Sequence, residues 1–414
     1  MSNRDGDEPI PVLYLLTDEI SSVLVRGQLG YLSSHGFTVT VAARRAEPDQ
    51  PPQPGKWDDD VTVEHLPFVR EPSPVADLRT LWATIRLIRR TRPTIVNAST
   101  PKAGLLGSVA AWLCRVPVRV YVVRGFRFET ATGWRRRLFV ALEWLAMRCA
   151  NVVIFNSRSL MTVGEDAGVI APGRGEVLGA GSGNGIDVTR FADDQLPSRA
   201  EARARFGLPD DAQVIGFVGR FTRDKGIEDL IEVFTALSAG SRELVGDSVA
   251  NEFTTMADLP AEIDAAAPWL LLVGQFEDGD PVDAETRAAI EQHDRIVVVP
   301  WLEHTGAAYR AMDVLAFPSY REGLPNVPLE AQLCGVPVVG YAATGTVDAV
   351  LDGDGGALVR VGDVELLGHT IGGLLDDPHR REELAVRGAE QVQQRFDRDQ
   401  FWQRLAERYA NVEA

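Results

Sequence analysis

The sequence predicts an α/β protein made of two doubly wound, Rossmann-like domains, and three observations carry that expectation. Short aliphatic or β-branched runs of four to six residues alternate with amphipathic helical stretches along most of the chain. Such runs suit strands buried on both faces of a parallel sheet covered by helices. The alternation stops at "EVLGAGSGNGIDVTRF" (176–191) and then restarts. Finally, 414 residues are more than one core ordinarily serves.

In the first half the expected strands are 11–16, 38–43, 61–68, 94–99, 118–123 and 151–157. Helical spacing covers 21–35, 76–90, 102–114 and 133–149, the first ending at His35-Gly36 as a C-cap. In the second half strands are expected at 213–219, 269–274, 295–299, 313–319, 337–341 and 356–361, with helices at 225–238, 282–292, 304–311 and 326–334. The tail from 378 to 412 reads as helix with one polar side. The domains are therefore drawn at 9–190 and 191–396, with a helix over about 397–414 returning to the first. Residues 46–60 read as a long exposed loop and 239–268 as an insertion without periodicity. Two domains of this kind are expected to face each other across a cleft, with ligands held beyond the carboxyl ends of their strands.

Composition narrows the function. Forty-two basic and fifty-nine acidic side chains give a net charge of −17, which argues against nucleic acid as a partner. Cys114, Cys149 and Cys334 sit in apolar surroundings without CxxC spacing, and read as buried reduced thiols. The six histidines show no ligand spacing, so no metal is expected. Asp58-Asp59-Asp60 reads as a solvated charge run. The polar start, MSNRDGDEPIP, is no secretory signal, and no apolar stretch has the length of about 18 that a spanning helix needs. A cytoplasmic protein is expected, with attachment to a membrane surface left open.

Two strand-to-helix loops hold the unusual residues. "VGRFTRDKG" (218–226) places Arg220 and Lys225 around a helix start, where cations and free amides suit a diphosphate. A solvated basic turn fits the same residues. "REGLPNVPLEAQLCGVPVV" (321–339) sets Glu322 before a Gly-Leu-Pro turn and Glu330 inside the following helix. Each carboxylate could accept hydrogen bonds from a vicinal diol; a surface turn residue and an arginine partner are the plainer readings. "GAGSGNG" (179–185) superficially offers a dinucleotide fingerprint, but no helix follows it, and a hinge is the better reading.

With its flanks, this second loop resembles the E-x7-E signature of retaining glycosyltransferases of family 4, which have the GT-B fold. "VGRFTRDKGIEDLIEVF", "LLLVGQFEDGDP", "MDVLAFPSY" and "ATGTVDAVLDGDGGALVRVGD" follow in that family's order. "TPKAGLLGSVAAWLCRVPVRVYVVRGFRFET" and "GSGNGIDVTRF" further resemble a bacterial branch that builds capsular and exopolysaccharide repeat units. The resemblance implies a UDP-sugar donor, moved with retention onto an acceptor hydroxyl of a polyprenyl-diphosphate-linked saccharide, with no cofactor. A soluble small-molecule acceptor is the alternative; an epimerase and a non-catalytic sugar-binding protein are further ones.

Residue by residue, the resemblance implies that Arg220 and Lys225 bind the donor diphosphate, Glu330 the ribose hydroxyls and Glu322 the transferred sugar. Amides from Gly323 through Leu324, Pro325 and Asn326 to Val327 would surround phosphates and sugar, Pro325 without an amide hydrogen. Main chain at Trp301 and Leu302 would meet the base. Attack would come from the front face, with the departing diphosphate helping to deprotonate the acceptor.

The chain departs from the family in two places. Many relatives have His-Gly where this chain has Arg124-Gly125, and an arginine cannot serve as a base. Arg124 is expected to stabilise charge instead. The usual Gly-Gly after the first strand is replaced by "TDEISSVLVRGQ", where Ser21 or Ser22 would assist. Arg124, Arg127 and Lys102 are the expected acceptor contacts. Residues 115–148 hold eight arginines and two acids, and "GWRRRLFVALEWLAMR" combines Arg135–Arg137 with Trp134 and Trp144, which suits an interfacial helix on an anionic membrane.

Overall fold

The computed structural model describes residues 8–45, 57–69, 73–239, 267–277 and 279–411. Most of the expected insertion at 239–268 and most of the loop at 46–60 lie outside them. The chain forms two compact units, Met1–Gly185 with Arg398–Ala414, and Ile186–Asp397.

The first unit runs β1 (Ile10–Asp18), α1 (Gln28–Ser34), β2 (Phe37–Arg44), β3 (Thr62–His65), α2 (Pro74–Thr91), β4 (Ile95–Ser99) and α3 (Pro101–Leu113). It continues with β5 (Val118–Val123), α4 (Gly133–Cys149), β6 (Val152–Phe155) and α5 (Arg158–Asp166). The six strands are parallel, in the order β3-β2-β1-β4-β5-β6. Successive strand side chains point to opposite faces, and both faces of β1 are buried. Leu13 and Leu15 pack with Ile85 and Ile88 of α2 and Ala103 and Ala110 of α3. Val12, Tyr14 and Leu16 pack with Leu29 and Leu32 of α1 on the other side. Only the edge strand β3 is largely exposed.

The second unit runs α6 (Arg199–Arg205), β7 (Val214–Val218), α7 (Ile227–Ser238), β8 (Trp269–Val273), α8 (Ala284–Gln292), β9 (Ile296–Val299), α9 (Gly306–Ala311) and β10 (Val314–Phe317). Then come α10 (Asn326–Leu333), β11 (Val338–Tyr341), α11 (Thr346–Ala349), β12 (Gly356–Val359), α12 (Val364–Asp376) and α13 (Pro378–Phe396). Its parallel sheet has the order β12-β11-β10-β7-β8-β9. Ile215 and Phe217 pack with Leu230 and Phe234 of α7 and Leu367 and Ile371 of α12. The last helix, α14 (Arg398–Ala410), belongs to the first unit, where Leu405 and Tyr409 join the cluster of β1 and α1.

In each sheet the strand order reverses once, between β1 and β4 and between β7 and β10. Loops leaving two such neighbours in opposite directions open a crevice at their carboxyl ends, where α/β sheets bind ligands. That geometry positions the second-unit site below.

Several elements differ from expectation. The helix expected at 21–35 is a 3-10 turn over Glu19–Val25 followed by α1. Gly27, between them, has φ +76°, and a Cβ there would lie 2.6 Å from the Trp402 ring. The left-handed turn and the indole together interrupt the helix. The tail is two helices parted at Asp397, because α13 packs in one unit and α14 in the other. Helices α5, α6, α11 and α12 lack counterparts among the expected elements. Cys114 is only half-buried. Asp58 is no idle member of a charge run, since it accepts a hydrogen bond from the Gly30 amide at 2.7 Å.

Candidate active site

In the second unit, the loop after β7 and the loop after β10 flank the strand-order reversal. Arg220 follows β7 by two residues and donates to Glu277 Oε2 at 2.8 Å. Its other terminal nitrogen is 3.7 Å from Asp224. Lys225 ends a short 3-10 turn ahead of α7, and its Nζ lies 2.5 Å from Glu322 Oε1. The same carboxylate oxygen accepts from Ser319 at 2.8 Å. The backbone also ties the two loops together, through Tyr320 N to Asp224 O at 3.0 Å. Burial would raise the Asp224 carboxyl, but the Thr222 hydroxyl and the cations Lys225, Arg220 and Arg321 hold it below the usual range. Arg321 Nε is buried without a hydrogen-bond partner among the described residues.

After Glu322 the backbone turns through Gly323, Leu324 and Pro325 into α10. No side chain caps the first turn of that helix, so the amides there, Asn326 and Val327 included, are not claimed by a cap. Leu324 is buried and Asn326 exposed. Glu330 has partners of its own on α10, accepting from Tyr309 Oη at 2.9 Å and Thr305 Oγ1 at 3.1 Å. Burial pushes its pKa up, against the lowering effect of those two hydroxyls and of the Arg190 charge. Trp301 and Leu302 follow β9 in the loop leading to Thr305, with the Trp301 side chain 64% exposed. The two glutamates of the motif thus stand in different settings, one paired with a lysine and one with two hydroxyls.

In the first unit, Arg124 leaves the end of β5 and donates to the carbonyls of Leu24 at 3.3 Å and Gly183 at 3.2 Å. Among the described residues its Nε has no hydrogen-bond partner, nor does the side-chain oxygen of buried Asn156. Burial lowers the Arg124 pKa to about 10, and no carboxylate pairs with it among the described residues. A side chain at Gly183 would overlap the guanidinium, its Cβ falling 2.1 Å from an Arg124 nitrogen. This accounts for one glycine of the 179–185 stretch. Tyr14, Tyr409 and Asn97 form a buried hydrogen-bonded group nearby, Tyr14 Oη meeting Tyr409 Oη at 3.1 Å. Lys102 begins α3 and pairs with Asp77 at 2.8 Å. Arg127 is exposed, its guanidinium 5.3 Å from the Phe139 ring centre. Ser22 is buried in the 3-10 turn after β1.

The comparisons with known proteins follow this division. Residues 22–181 match the family described as Glycosyl transferase 4-like domain, and residues 212–377 the one described as Glycosyl transferases group 1. Over 398 residues the chain is 30% identical to the capsular polysaccharide biosynthesis glycosyltransferase CapM of Staphylococcus aureus, covering 96% of each chain. The chain belongs to the group 1 glycosyltransferases. The transferase is also 24% identical to the UDP-Gal:alpha-D-GlcNAc-diphosphoundecaprenol alpha-1,3-galactosyltransferase of Escherichia coli, over 77% of this chain and 76% of that one. Its fold is GT-B. Anabaena HepE in complex with UDP-glucose superposes with a TM-score of 0.73 at 21% identity, covering 97% of this chain and 99% of that one.

The candidate site of the transferase includes residues that sequence reasoning passed over. Asp224, Glu277, Ser319 and Arg321 tie down the cations and Glu322, and Thr305 and Tyr309 hold Glu330. Asp224, Glu277 and Arg321 lie inside the quoted motifs and were readable as extra charges. Thr305 and Tyr309 lie outside every quoted motif, and nothing in their local pattern marks them. Among the described residues, no group of three or more His, Cys, Asp or Glu side chains is placed to hold a metal ion.

Proposed function

We propose that this glycosyltransferase takes a UDP-sugar and transfers a hexosyl group, with retention, to a hydroxyl of a lipid-linked saccharide in polysaccharide assembly. The observation that carries the reading is the convergence of Arg220, Lys225 and Arg321 beside Glu322 at the strand-order reversal of the second unit. Cations there would meet the diphosphate, and charge growing on it as the glycosidic bond breaks is where such groups lower the barrier most. Amides of the first turn of α10 would add dipoles aimed at the same group. Glu330 would hold the ribose diol, main chain at Trp301 and Leu302 the base, and Glu322 the transferred sugar. The carboxylates Glu322, Asp224 and Glu277 already face cations. The reading therefore neutralises the diphosphate with side chains and includes no metal.

With no carboxylate placed as a nucleophile in this reading, the acceptor oxygen attacks from the side of the leaving group. It bonds to the anomeric carbon as the carbon–oxygen bond to the diphosphate breaks. The diphosphate leaves with the bonding pair and takes the acceptor proton. Arg124 is proposed to meet an anionic group of the acceptor, because a buried guanidinium without a carboxylate partner is costly until an anion arrives. The diphosphate acceptor of the Escherichia coli relative supports a lipid-linked substrate, used at the cytoplasmic face of a membrane. The test is a panel of nucleotide sugars incubated with the enzyme and followed by NMR. Slow release of UDP with an α-configured sugar and no epimer supports the reading. Turnover only with GDP- or ADP-sugars, a β-configured product or an epimerised donor would overturn the corresponding part.

A further inference from the structure

We propose that the outer surface of the layer α2–α3–α4 is a membrane-docking face that sits on anionic lipid headgroups. The inference is read from this surface alone and does not require the UDP-sugar assignment. These helices form one layer, with α3 packed between α2 and α4. Their inward residues meet the sheet: Ile85 and Ala103 lie against Leu13 and Leu15, and Ala146 against Val153. The residues left exposed therefore share the outer surface.

That surface carries tryptophan on all three helices. Trp82 of α2 is 59% exposed, Trp112 of α3 54%, and Trp134 and Trp144 of α4 70% and 50%. Of the chain's eight tryptophans only Trp301 is comparably exposed elsewhere. Single exposed apolar side chains are ordinary, but an aromatic set spread over three adjacent helices is not. On α2, positions 75, 78, 82, 86 and 89 recur every three or four residues and so share a face. They read Val, Leu, Trp, Arg, Arg, all exposed.

The charge on this face is one-sided. Residues 73–150 hold fourteen Lys and Arg against three Asp and Glu, and eight of the arginines lie exposed on α2 and α4, in a chain of net charge −17. None of the three acids is exposed. Asp77 is paired with Lys102, and Glu143 is buried against the Tyr121 hydroxyl at 2.8 Å. An acidic protein or nucleic acid would satisfy the arginines without using the indoles. A bilayer surface uses both, since tryptophan settles at the headgroup level and arginine reaches anionic lipid beside it.

The test is co-sedimentation with vesicles of phosphatidylcholine alone and of equal parts phosphatidylcholine and phosphatidylglycerol, with no sugar donor present. Binding should require the anionic lipid, weaken with salt and shift tryptophan emission to the blue. Arg79→Glu with Arg86→Glu, both on α2, should cut partition by about 25-fold or more, because each exposed arginine is worth about fivefold. Arg135→Glu, Arg136→Glu and Arg137→Glu together should cut it further. Trp82→Ser with Trp112→Ser should lower the binding that survives high salt. All three variants should melt as wild type does and release nucleotide in detergent solution at the wild-type rate, which separates this inference from the proposed reaction. Equal affinity for neutral vesicles, no binding at all, or loss through the α4 variants with the α2 and Trp82/Trp112 variants unaffected would each overturn the three-helix face. So would self-association without lipid that the tryptophan variants abolish.

Discussion

Lys225 Nζ lies 2.5 Å from Glu322 Oε1, and the two side chains come from loops on opposite sides of the strand-order reversal in the second unit. The lysine is neutralised by the glutamate, so on the proposed reading an incoming diphosphate has to compete with a carboxylate already in place. The pair is mostly buried, each side chain less than a fifth exposed, so solvent weakens the attraction only in part.

A split between affinity and turnover follows. Glu322→Gln removes the competitor, so UDP alone should bind several-fold more tightly, as measured by calorimetry. Turnover should fall all the same, because the transferred sugar would lose the hydrogen-bond acceptor proposed for it. Lys225→Ala and Arg220→Ala should each lower kcat by about 100-fold, the scale seen when one group stabilising a transition-state charge is removed. Normal turnover in both cation variants would mean that the diphosphate binds elsewhere.

On the proposed reading, Glu330 ties nucleotide affinity to pH. It must be ionised to accept two hydrogen bonds from a diol, and burial raises its pKa. Affinity for UDP should therefore fall on acidification, and do so at higher pH than an ordinary carboxylate would give. Tyr309 donates to the ionised carboxylate, so Tyr309→Phe should move the fall to higher pH. Glu330→Gln should bind UDP about ten- to a hundredfold more weakly at neutral pH, with this pH step gone. A step that persists in the glutamine variant belongs to another group.

The two sheets were legible because a strand buried on both faces has to be apolar throughout, and "VLYLL" and "VIGFV" have few other homes. The break after Val25 was not legible, since Trp402, which blocks the continuous helix at Gly27, lies 375 residues away in sequence. At the site, Arg220, Lys225, Glu322 and Glu330 were readable because each sits in a strand-to-helix loop or the turn after it. The pairing of Arg220 with Glu277 and of Glu330 with Tyr309 was not, because a partner supplied by another element leaves no local period. The same limit applied to Glu143, which shares a helix with Arg135–Arg137 and counted as surface charge until its contact with Tyr121 turned it inward.

Asp313 shows how the second unit anchors its outer helices. Its carboxylate, 3% exposed, faces Arg199, Arg203 and Arg381, and also accepts from the Val214 amide at 2.8 Å. Arg203 is itself fully buried. Removing one member strands a buried charge, which ordinarily costs about 3–5 kcal/mol. Asp313→Ala should lose about that much stability in denaturant titration, while Asp211→Ala at an exposed position should change it by less than about 0.5 kcal/mol. A small loss in Asp313→Ala would show that the arginines find solvent or other acceptors.

The last prediction concerns pH and the first unit. Glu143 of α4 is 7% exposed and donated to by Tyr121 Oη, and burial raises its pKa to about 7. The folded chain therefore holds this proton more tightly than the unfolded chain, where an ordinary glutamate titrates near 4.5. Stability must fall as pH climbs between those two values and level off above the higher one. At 1.36 kcal/mol per pH unit the whole effect is about 3 kcal/mol, reduced by whatever relaxation lets water reach the carboxylate. Glu143→Gln keeps an oxygen for the Tyr121 hydroxyl and removes the titration. In scanning calorimetry the variant should melt with or slightly below wild type at about pH 5, and several degrees above it at about pH 8. Parallel curves for the two proteins across that range would show that Glu143 stays ionised, with α4 seated less deeply on β5 than its contact with Tyr121 requires.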